Sequence, residues 1–440
     1  MYWVSKTIHK LGRAKRWTLV LLAAVGPGII TMVADNDAGG ITTYAQTGSR
    51  TGFSFLWVFL LLIPMAYYVQ EMTVRLGAVT KRGHAEAIFD GFGRFWGWFA
   101  LFDLVVVNLL TLVTEYIGMT VAMEIFGIPK WVTFVAVTVV LMLIVLTGKY
   151  WTFEKLTMIF IVFNLVYVPA AIWAMKAGHV PGGWGAVLQG FYRPEFPAIG
   201  FAGLIFLLMA NIGTTITPWQ IFFQQSAVVD KGMEVRDIKY GKIDTFAGSL
   251  LTGAVAVFII VTTAAAFYYH RPPIVVDTAE GTAQALEPLL PAGEGHWAKL
   301  FFAIGLFDAG FLGALCVSLA TSWAIGEVFG WAHSLNKSVK DAPWFYAVYL
   351  AMLVLAGSVV LIPGAPLVQI TMFVQVVAVT LLPAALVFLV LLLNDRELMG
   401  EHVNTRWQNF ANWSIIGFVI LMSATFGISV LFPELFGAGG

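Results

Sequence analysis

Apolar residues along this chain gather into eleven long runs separated by short polar links: residues 17–46, 53–76, 95–126, 131–148, 153–175, 197–228, 243–268, 298–330, 345–362, 366–393 and 412–432. A helix needs about 20 apolar residues to cross the roughly 30 Å hydrocarbon layer, and these runs match or approach that length. Lipid offers no partner to backbone N–H and C=O groups, so such runs must be helices. The pattern predicts an all-α integral membrane protein with about eleven transmembrane helices. The third and eighth runs are long and are expected to tilt or to project beyond the bilayer. The longest link, about 269–297, reads as an external loop, and no link can hold a soluble domain.

Composition agrees. The 440 residues are 59% hydrophobic and 11% charged, against about 25% charged in soluble domains. Lys+Arg and Asp+Glu number 25 each, so no excess of either sign suggests a nucleic-acid partner. The single cysteine, Cys316, rules out an internal disulfide and a cysteine metal cluster, and reads as a small buried apolar side chain. With a cytoplasmic N-terminus only Arg50, Lys130, Lys176, Arg193, Arg271 and Lys299 fall outside, leaving nineteen of the 25 basic residues inside. That bias supports the orientation in a cell membrane, and eleven spans then place the C-terminus outside. Residues 1–16 are read as a cytoplasmic segment, and the run from Trp17 as a first span rather than a cleaved signal peptide.

Two runs carry polar interruptions. The first contains Ala34-Asp35-Asn36-Asp37-Ala38-Gly39-Gly40, two carboxylates and an amide followed by paired glycines. Carboxylates at membrane depth cost about 2.5–3.5 kcal/mol on insertion scales and mark functional positions. A helix that unwinds here, against protein or a water-filled cavity, accounts for the stretch; shallow residues near a membrane surface are the alternative. The sixth run holds Asn211, Gly213, Thr214, Thr215, Thr217 and Pro218 at its middle, and proline removes a helix hydrogen bond. Breaks in spans one and six, five apart, are the pattern of two inverted five-helix repeats that bind substrate at the midplane between them. The repeats would cover 17–175 and 197–393, with residues 412–440 forming a peripheral eleventh span and the C-terminus.

Released carbonyls, hydroxyls and a carboxylate make an all-oxygen site, which suits hard divalent cations. Asp37 is the main charge, with Ala34 (through its freed carbonyl), Asn36, Thr214 and Thr217 as further candidate ligands. Small residues at 38–40 leave room for the waters that Mg²⁺ keeps. Asp35 and Asn211 are candidates to line or gate the site. Each has a plainer role open to it: Asp35, Asn36 and Asp37 as helix caps, the threonines bonded to the preceding turn, Asn211 as a bridge between helices. Glu115 in span three is a candidate gate or charge relay, or else a neutral acid bonded to a neighbour. Asp308 is the other isolated acid, with cation access as its candidate role; Asp103 and Asn108 are expected to pack helices. The seven histidines show no ligand spacing and fall in or near links.

The interrupted spans resemble those of the Nramp family of divalent metal transporters. GPGIITMVADNDAGGITTYAQTGS, from Gly26, is similar to that family's first span, whose Asp-Pro-Gly-Asn signature stands here as Asp37, Ala38, Gly39 and Gly40. Gly213 to Gln220 resembles the sixth-span Gly-Ala-x-x-Met-Pro-His-Asn. TLVTEYIG (Thr111–Gly118) resembles the third-span Thr-Asp-x-x-Glu-Phe-x-Gly, and QVVAVTLLP (Gln375–Pro383) the tenth-span Gln-Val-x-x-x-x-Gln-x-Pro. The resemblance implies a LeuT-like 5+5 inverted repeat with helices 1 and 6 broken, and a metal site at Asp37. It also exposes departures. The family's binding Asn is Gly40, its thioether Met is Thr217, its tenth-span Gln is Leu381 and its sixth-span His is Trp219. The acidic pair of span three is reduced to Glu115, with Leu112 at the other position. Such losses resemble the Nramp-related magnesium transporter branch.

The reading is therefore a monomeric carrier, embedded in the lipid bilayer, that imports a divalent ion, most of all Mg²⁺ and also Mn²⁺, largely hydrated and without proton coupling. A proton-coupled Mn²⁺/Fe²⁺ carrier of the Nramp type is the alternative. No cofactor and no enzymatic activity are expected. An amino-acid symporter conflicts with Asp37, which would repel a substrate carboxylate.

Overall fold

The computed structural model describes residues 26–177, 180–196, 199–270, 274 and 294–431. The segment 1–16, the start of the first span, most of the long external link, His9, His179 and residues 432–440 lie outside that set. Among the described residues every regular element is a helix.

The first predicted span is two helices, α1 (Pro27–Val33) and α2 (Ala38–Thr51). Then come α3 (Leu56–Thr80), the short α4 (His84–Phe92), α5 (Arg94–Glu124) and α6 (Lys130–Val145). The fifth predicted span is α7 (Tyr150–Phe163), a 3₁₀ turn at Asn164–Val166 and α8 (Tyr167–Ala177), followed by α9 (Gly183–Tyr192). The sixth is again divided, into α10 (Gly200–Thr215) and α11 (Pro218–Asp230). The remainder is α12 (Ile238–Thr263), which ends in a π-helical turn at Ala264–Tyr268, then α13 (Glu294–Phe329), α14 (Pro343–Val359), α15 (Leu367–Asn394), the single turn α16 (Arg396–Met399) and α17 (Arg406–Leu431). Among the described residues eight helical stretches are long and apolar enough to cross a membrane, while α6 and α14 are shorter apolar helices. Each predicted run thus coincides with described helix, apart from the ends that lie outside the described residues.

The packing places the broken helices at the centre. The most extensive helix pairing joins α5 to α13, and α12 packs along both α1 and α3. Around the breaks, α2 touches α5, α10, α13 and α15. Small residues permit the close approach. A Cβ on Gly248 of α12 would lie 2.9 Å from Met32 Cβ and 3.0 Å from the Gly28 carbonyl oxygen. A Cβ on Gly118 of α5 would collide with Ala38 Cβ at the start of α2.

One end of the bundle is tied by buried charge. Asp244 of α12 accepts hydrogen bonds from the N–H groups of Gly28 (2.7 Å) and Ile29 (3.3 Å), the free donors of the first turn of α1. Lys231 at the end of α11 pairs with Glu154 of α7 at 2.6 Å, with both side chains 5% exposed. Gly26 abuts this pair.

His84 lies in the link between the second and third apolar runs, as the sequence reading has it, at the start of a short helix. It is fully buried at the start of α4, edge-on to Phe222 of α11, with Nδ1 3.1 Å from Gln225 Oε1. Burial pushes its pKa down to about 4 from an ordinary 6.5. Between those values the unfolded chain holds the proton that the folded chain refuses. His84 therefore contributes stability above pH 6.5 that is lost as pH falls towards 4, by roughly 3 kcal/mol. Thermal unfolding in detergent should show a steeper loss between pH 6.5 and 4 in the wild type than in His84→Gln; parallel curves would contradict this.

Candidate ion-binding site at the helix breaks

At the first break the helical hydrogen bonds change partners one by one. Ala34 still donates to Ile30 (2.9 Å), and Asn36 donates to Val33 (3.0 Å) in a tight turn. Ala38 N–H, which would meet the Ala34 carbonyl in a continuous helix, instead donates to Glu115 Oε2 at 3.0 Å. The Ala34 carbonyl thereby loses its helical partner, as expected of a freed ligand. Asp37 is the extended N-cap of α2, and its Oδ1 accepts from Gly40 N–H at 2.6 Å. Oδ1 thus caps α2, while Asp37 Oδ2 has no hydrogen-bond partner.

The second break is shorter. Ile216 and Thr217 are extended, Thr217 is the N-cap, and Pro218 opens α11. Pro218 has no N–H to lose at that first position, which is why it starts the helix cleanly. Gln220 Oε1 accepts from Thr217 N–H at 3.0 Å.

The candidates converge unevenly. Asp35, Asn36, Asp37, Thr214 and Glu115 have no exposed surface, and Thr217 is 1% exposed. Asp35 has two oxygens without a partner, and Asn36 Oδ1 and Thr214 Oγ1 are also unpartnered, while Thr217 Oγ1 faces the Gln220 N–H in a capping box. Asn36 Nδ2 donates to the Thr252 carbonyl on α12 (3.3 Å), which leaves its Oδ1 free of that contact. Thr214 Oγ1 lies against Gly40, 2.8 Å from where a Cβ there would stand. Thr215, by contrast, bonds the preceding turn at Asn211 O (2.7 Å). Asn211 itself donates to Thr47 Oγ1 of α2 at 2.8 Å, bridging helices. Trp219 is fully buried, packed edge-on against Phe223, and its indole N–H is unpartnered.

Glu115 and Asp37 are direct electrostatic neighbours. A Cβ on Gly313 of α13 would stand 2.7 Å from Glu115 Oε2 and 3.1 Å from Asp37 Cβ, so this glycine lets α13 close over both acids. Asp35 neighbours Asp37 in turn. Among the described residues no lysine or arginine pairs with any of the three. Nor, among those residues, do three His, Cys, Asp or Glu side chains group closely enough to hold an ion alone. Coordination here must combine a carboxylate with neutral oxygens.

Three neighbours escaped the sequence reading. Tyr44, one turn into α2, places its hydroxyl 3.2 Å from Thr215 Oγ1 and feels both aspartates. Gln220 faces Asp35. Gln375 of α15 lies over Gly39, where a Cβ would strike its amide, and Nε2 is buried without a partner. The sequence reading took the span-ten ligand as lost at Leu381, which is half-buried; Gln375, six residues earlier and read only as the start of the tenth-span motif, is the glutamine at the break. The glycine pair was read as space for water. In this closed arrangement Gly39 and Gly40 are instead filled against Gln375 and Thr214.

Paired helix breaks around buried, unpaired carboxylates define an inverted-repeat membrane transporter with a central polar site. The family profile described as natural resistance-associated macrophage protein-like matches residues 28–429, and the chain belongs to this Nramp family. Relatives include a protein named divalent metal cation transporter MntH from Listeria welshimeri, 25% identical across 92% of this chain and 89% of its own length. Its counterpart from Klebsiella pneumoniae is 26% identical across 95% and 96%. Among solved structures, the manganese transporter of Eremococcus coleocola with a bound aromatic bis-isothiourea compound has a TM-score of 0.80 at 20% identity, over 98% of this chain and 90% of that one. MhsT in complex with L-phenylalanine has a TM-score of 0.65 at 13% identity, over 93% and 97%. These likenesses establish the fold. They also carry transporter names rather than enzyme names.

The Ala38–Glu115 bond separates charge from hydrogen bonding. Glu115→Gln keeps an acceptor for Ala38 N–H and is expected to unfold near the wild-type temperature. Glu115→Leu leaves that N–H buried and unpaired, at about 1–3 kcal/mol, and should unfold measurably earlier. Equal melting of both variants by calorimetry in detergent would refute the capping role.

Proposed function

We propose that this protein imports divalent cations, Mg²⁺ above all and Mn²⁺ as well, by alternating access around the two breaks, without proton coupling. The observation that carries the reading is the cluster of Asp35, Asp37 and Glu115, fully buried with no cationic side chain beside it among the described residues. An unpaired buried charge is costly enough that the site must take up a cation or a proton. Asp37 Oδ2, Asp35, the Ala34 carbonyl, Thr214 and Thr217 offer oxygens only, which favours a hard ion. Asn36 adds its Oδ1, and Gly40 supplies no side chain where the family signature has a binding Asn. The names of the relatives, divalent metal cation transporter and manganese transporter, agree with the ion class.

A largely hydrated ion needs more room than the closed site gives, so Gln375 and Thr214 must withdraw from the glycines as it enters. The membrane potential suffices as driving force, since a divalent charge gains about 4.6 kcal/mol per 100 mV. The protein is read as a monomer in the cell membrane, N-terminus in the cytoplasm and C-terminus outside.

A second reading, proton-coupled Mn²⁺/Fe²⁺ transport, draws on the contact between Asp37 and Glu115, an acid pair able to share a proton. Against it, Trp219 offers no titratable group at the first turn of α11, and Leu112 offers none beside Glu115.

Liposomes loaded with a Mg²⁺ dye and a pH dye distinguish the two. Mg²⁺ uptake without acidification is expected, and Asp37→Ala should lower it at least about tenfold, the effect of roughly 1.4 kcal/mol or more. Acidification that tracks the metal would overturn the uncoupled mechanism. In the same assay Thr217→Met, which adds a soft ligand, should raise the Mn²⁺-to-Mg²⁺ ratio by about tenfold. An unchanged ratio would remove position 217 from the ion's coordination.

A further inference from the structure

A polar face runs along α11 away from the second break. Thr217, Gln220, Gln224 and Lys231 are spaced by three, four and seven residues, which sets them on one side of the helix. That helix packs against α1. At one end Gln220 faces Asp35. At the other, about 16 Å along the axis, Lys231 meets Glu154. Between them Gln224 Nε2 donates to Thr245 Oγ1 of α12 at 2.8 Å, while its Oε1 is buried without a partner.

Two acids gather at the far end. A Cβ on Gly26 would strike Glu154 Oε1 and stand 2.8 Å from Lys231 Nζ. A Cβ on Gly28 would stand 2.6 Å from Thr245 Oγ1 and 2.8 Å from Asp244 Oδ2. The start of α1 is thus wedged among Glu154, Asp244 and Thr245. Asp244 feels the charge of Lys231. Glu154 is 4% exposed, and its Oε2 is buried without a partner. The hydroxyl of Tyr150, which feels both acids, is unpartnered as well.

We propose that Glu154 and Asp244 form an exit subsite for the transported divalent ion at the cytoplasmic end of α11, and that the ammonium of Lys231 holds the place of that ion until it arrives. The proposal rests on the import reading above. Two carboxylates face one ammonium here, and a divalent ion balances both. The neighbouring hydroxyl and amide oxygens suit a hard cation. Lys231 has a place to withdraw to: its Nζ lies 5.4 Å from the ring centre of Trp151, which is 42% exposed. An ion leaving Asp37 passes Asp35 and the two glutamines, then displaces Lys231 towards Trp151 and water. Parting Lys231 from Glu154 also loosens the wedge around the start of α1, so the ion unlatches its own way out.

Mn²⁺ is the probe, followed by electron paramagnetic resonance, in which the signal of the free ion is lost on binding. The full-length protein in detergent carries Asp37→Ala throughout, to remove the central site. Adding Lys231→Met should create saturable Mn²⁺ binding at least about tenfold tighter than without it. Adding Glu154→Gln as well should remove that gain. Melting temperatures establish that each variant is folded. No gain in folded Lys231→Met, or a gain that survives Glu154→Gln, would overturn the proposal. A second measurement uses liposomes and an otherwise native chain, and decides if Lys231→Met does not fold. Mg²⁺ inside should slow uptake by occupying the exit, and Glu154→Gln should raise the half-inhibitory internal concentration about tenfold. A merely structural ion pair would leave that concentration unchanged, and such a result would overturn the proposal. Failure of the import reading shows separately, as wild-type liposomes that take up no Mg²⁺, and leaves the Mn²⁺ titration to decide on the inner acids.

Discussion

A single displaced hydrogen bond organises the centre of this protein. Ala38 gives its N–H to Glu115 rather than to Ala34, and in doing so ends one helix and starts another. The exchange requires a carboxylate from α5 at the entrance of α2, hence the near contact of Gly118 with Ala38 and of Gly313 with Glu115. It also brings Glu115 up to Asp37, so the geometry that satisfies the backbone concentrates negative charge. Burial of that charge is what makes the breaks a site and not a flaw in packing. A helix N-terminus beside the acids supplies a partial positive charge, and whatever charge the acids carry beyond that must be met by a cation or a proton.

Much of this was legible in the chain. Apolar runs marked the helices because lipid and packing both demand them. The breaks announced themselves through residues that helices avoid at depth: Asp35 to Asp37 and the glycines at one, Thr217-Pro218 at the other. Asp37 could be named because a carboxylate at that depth is too costly to keep without a use. What could not be read was the company it keeps. Gln375 and Tyr44 reach the site from α15 and from within α2, through helix rotations that periodicity does not fix when nearly every position is apolar. Glycine was legible as small but not as occupied, since only the neighbouring helix decides whether the vacated volume holds water or Gln375. The place of His84 in a link was legible, but its burial was not, because α4 is nine residues long and too short to stand out as a buried element.

Outside the centre, polar contacts hold one end of the bundle together. Asp244 meets the free N–H groups of α1, and Lys231–Glu154 closes beside Gly26. A buried ion pair is weak evidence for stability but breaking it is costly, so such a pair suits a contact that must be either fully made or fully released. The π-helical turn at Ala264–Tyr268 lies beside α2, with Gly48 and Gly52 giving it space.

The two halves of the first span have different attachments. Gly28, Ile29 and Met32 fasten α1 to the first half of α12, through Asp244, Gly248 and Thr252. α2 packs on the closing turns of the same helix, Gly48 against Ile260 and Thr263, and is fastened to α5 by Glu115 and Gly118. Peptides 34–37 are thus a seam between a piece seated on the first half of α12 and a piece shared by its closing turns and α5, and the seam carries Asp35 and Asp37. Any sliding of one piece against the other is registered first as a change in the spacing of those acids, so the grip on a cargo ion and the shape of the whole carrier are geared together at four residues.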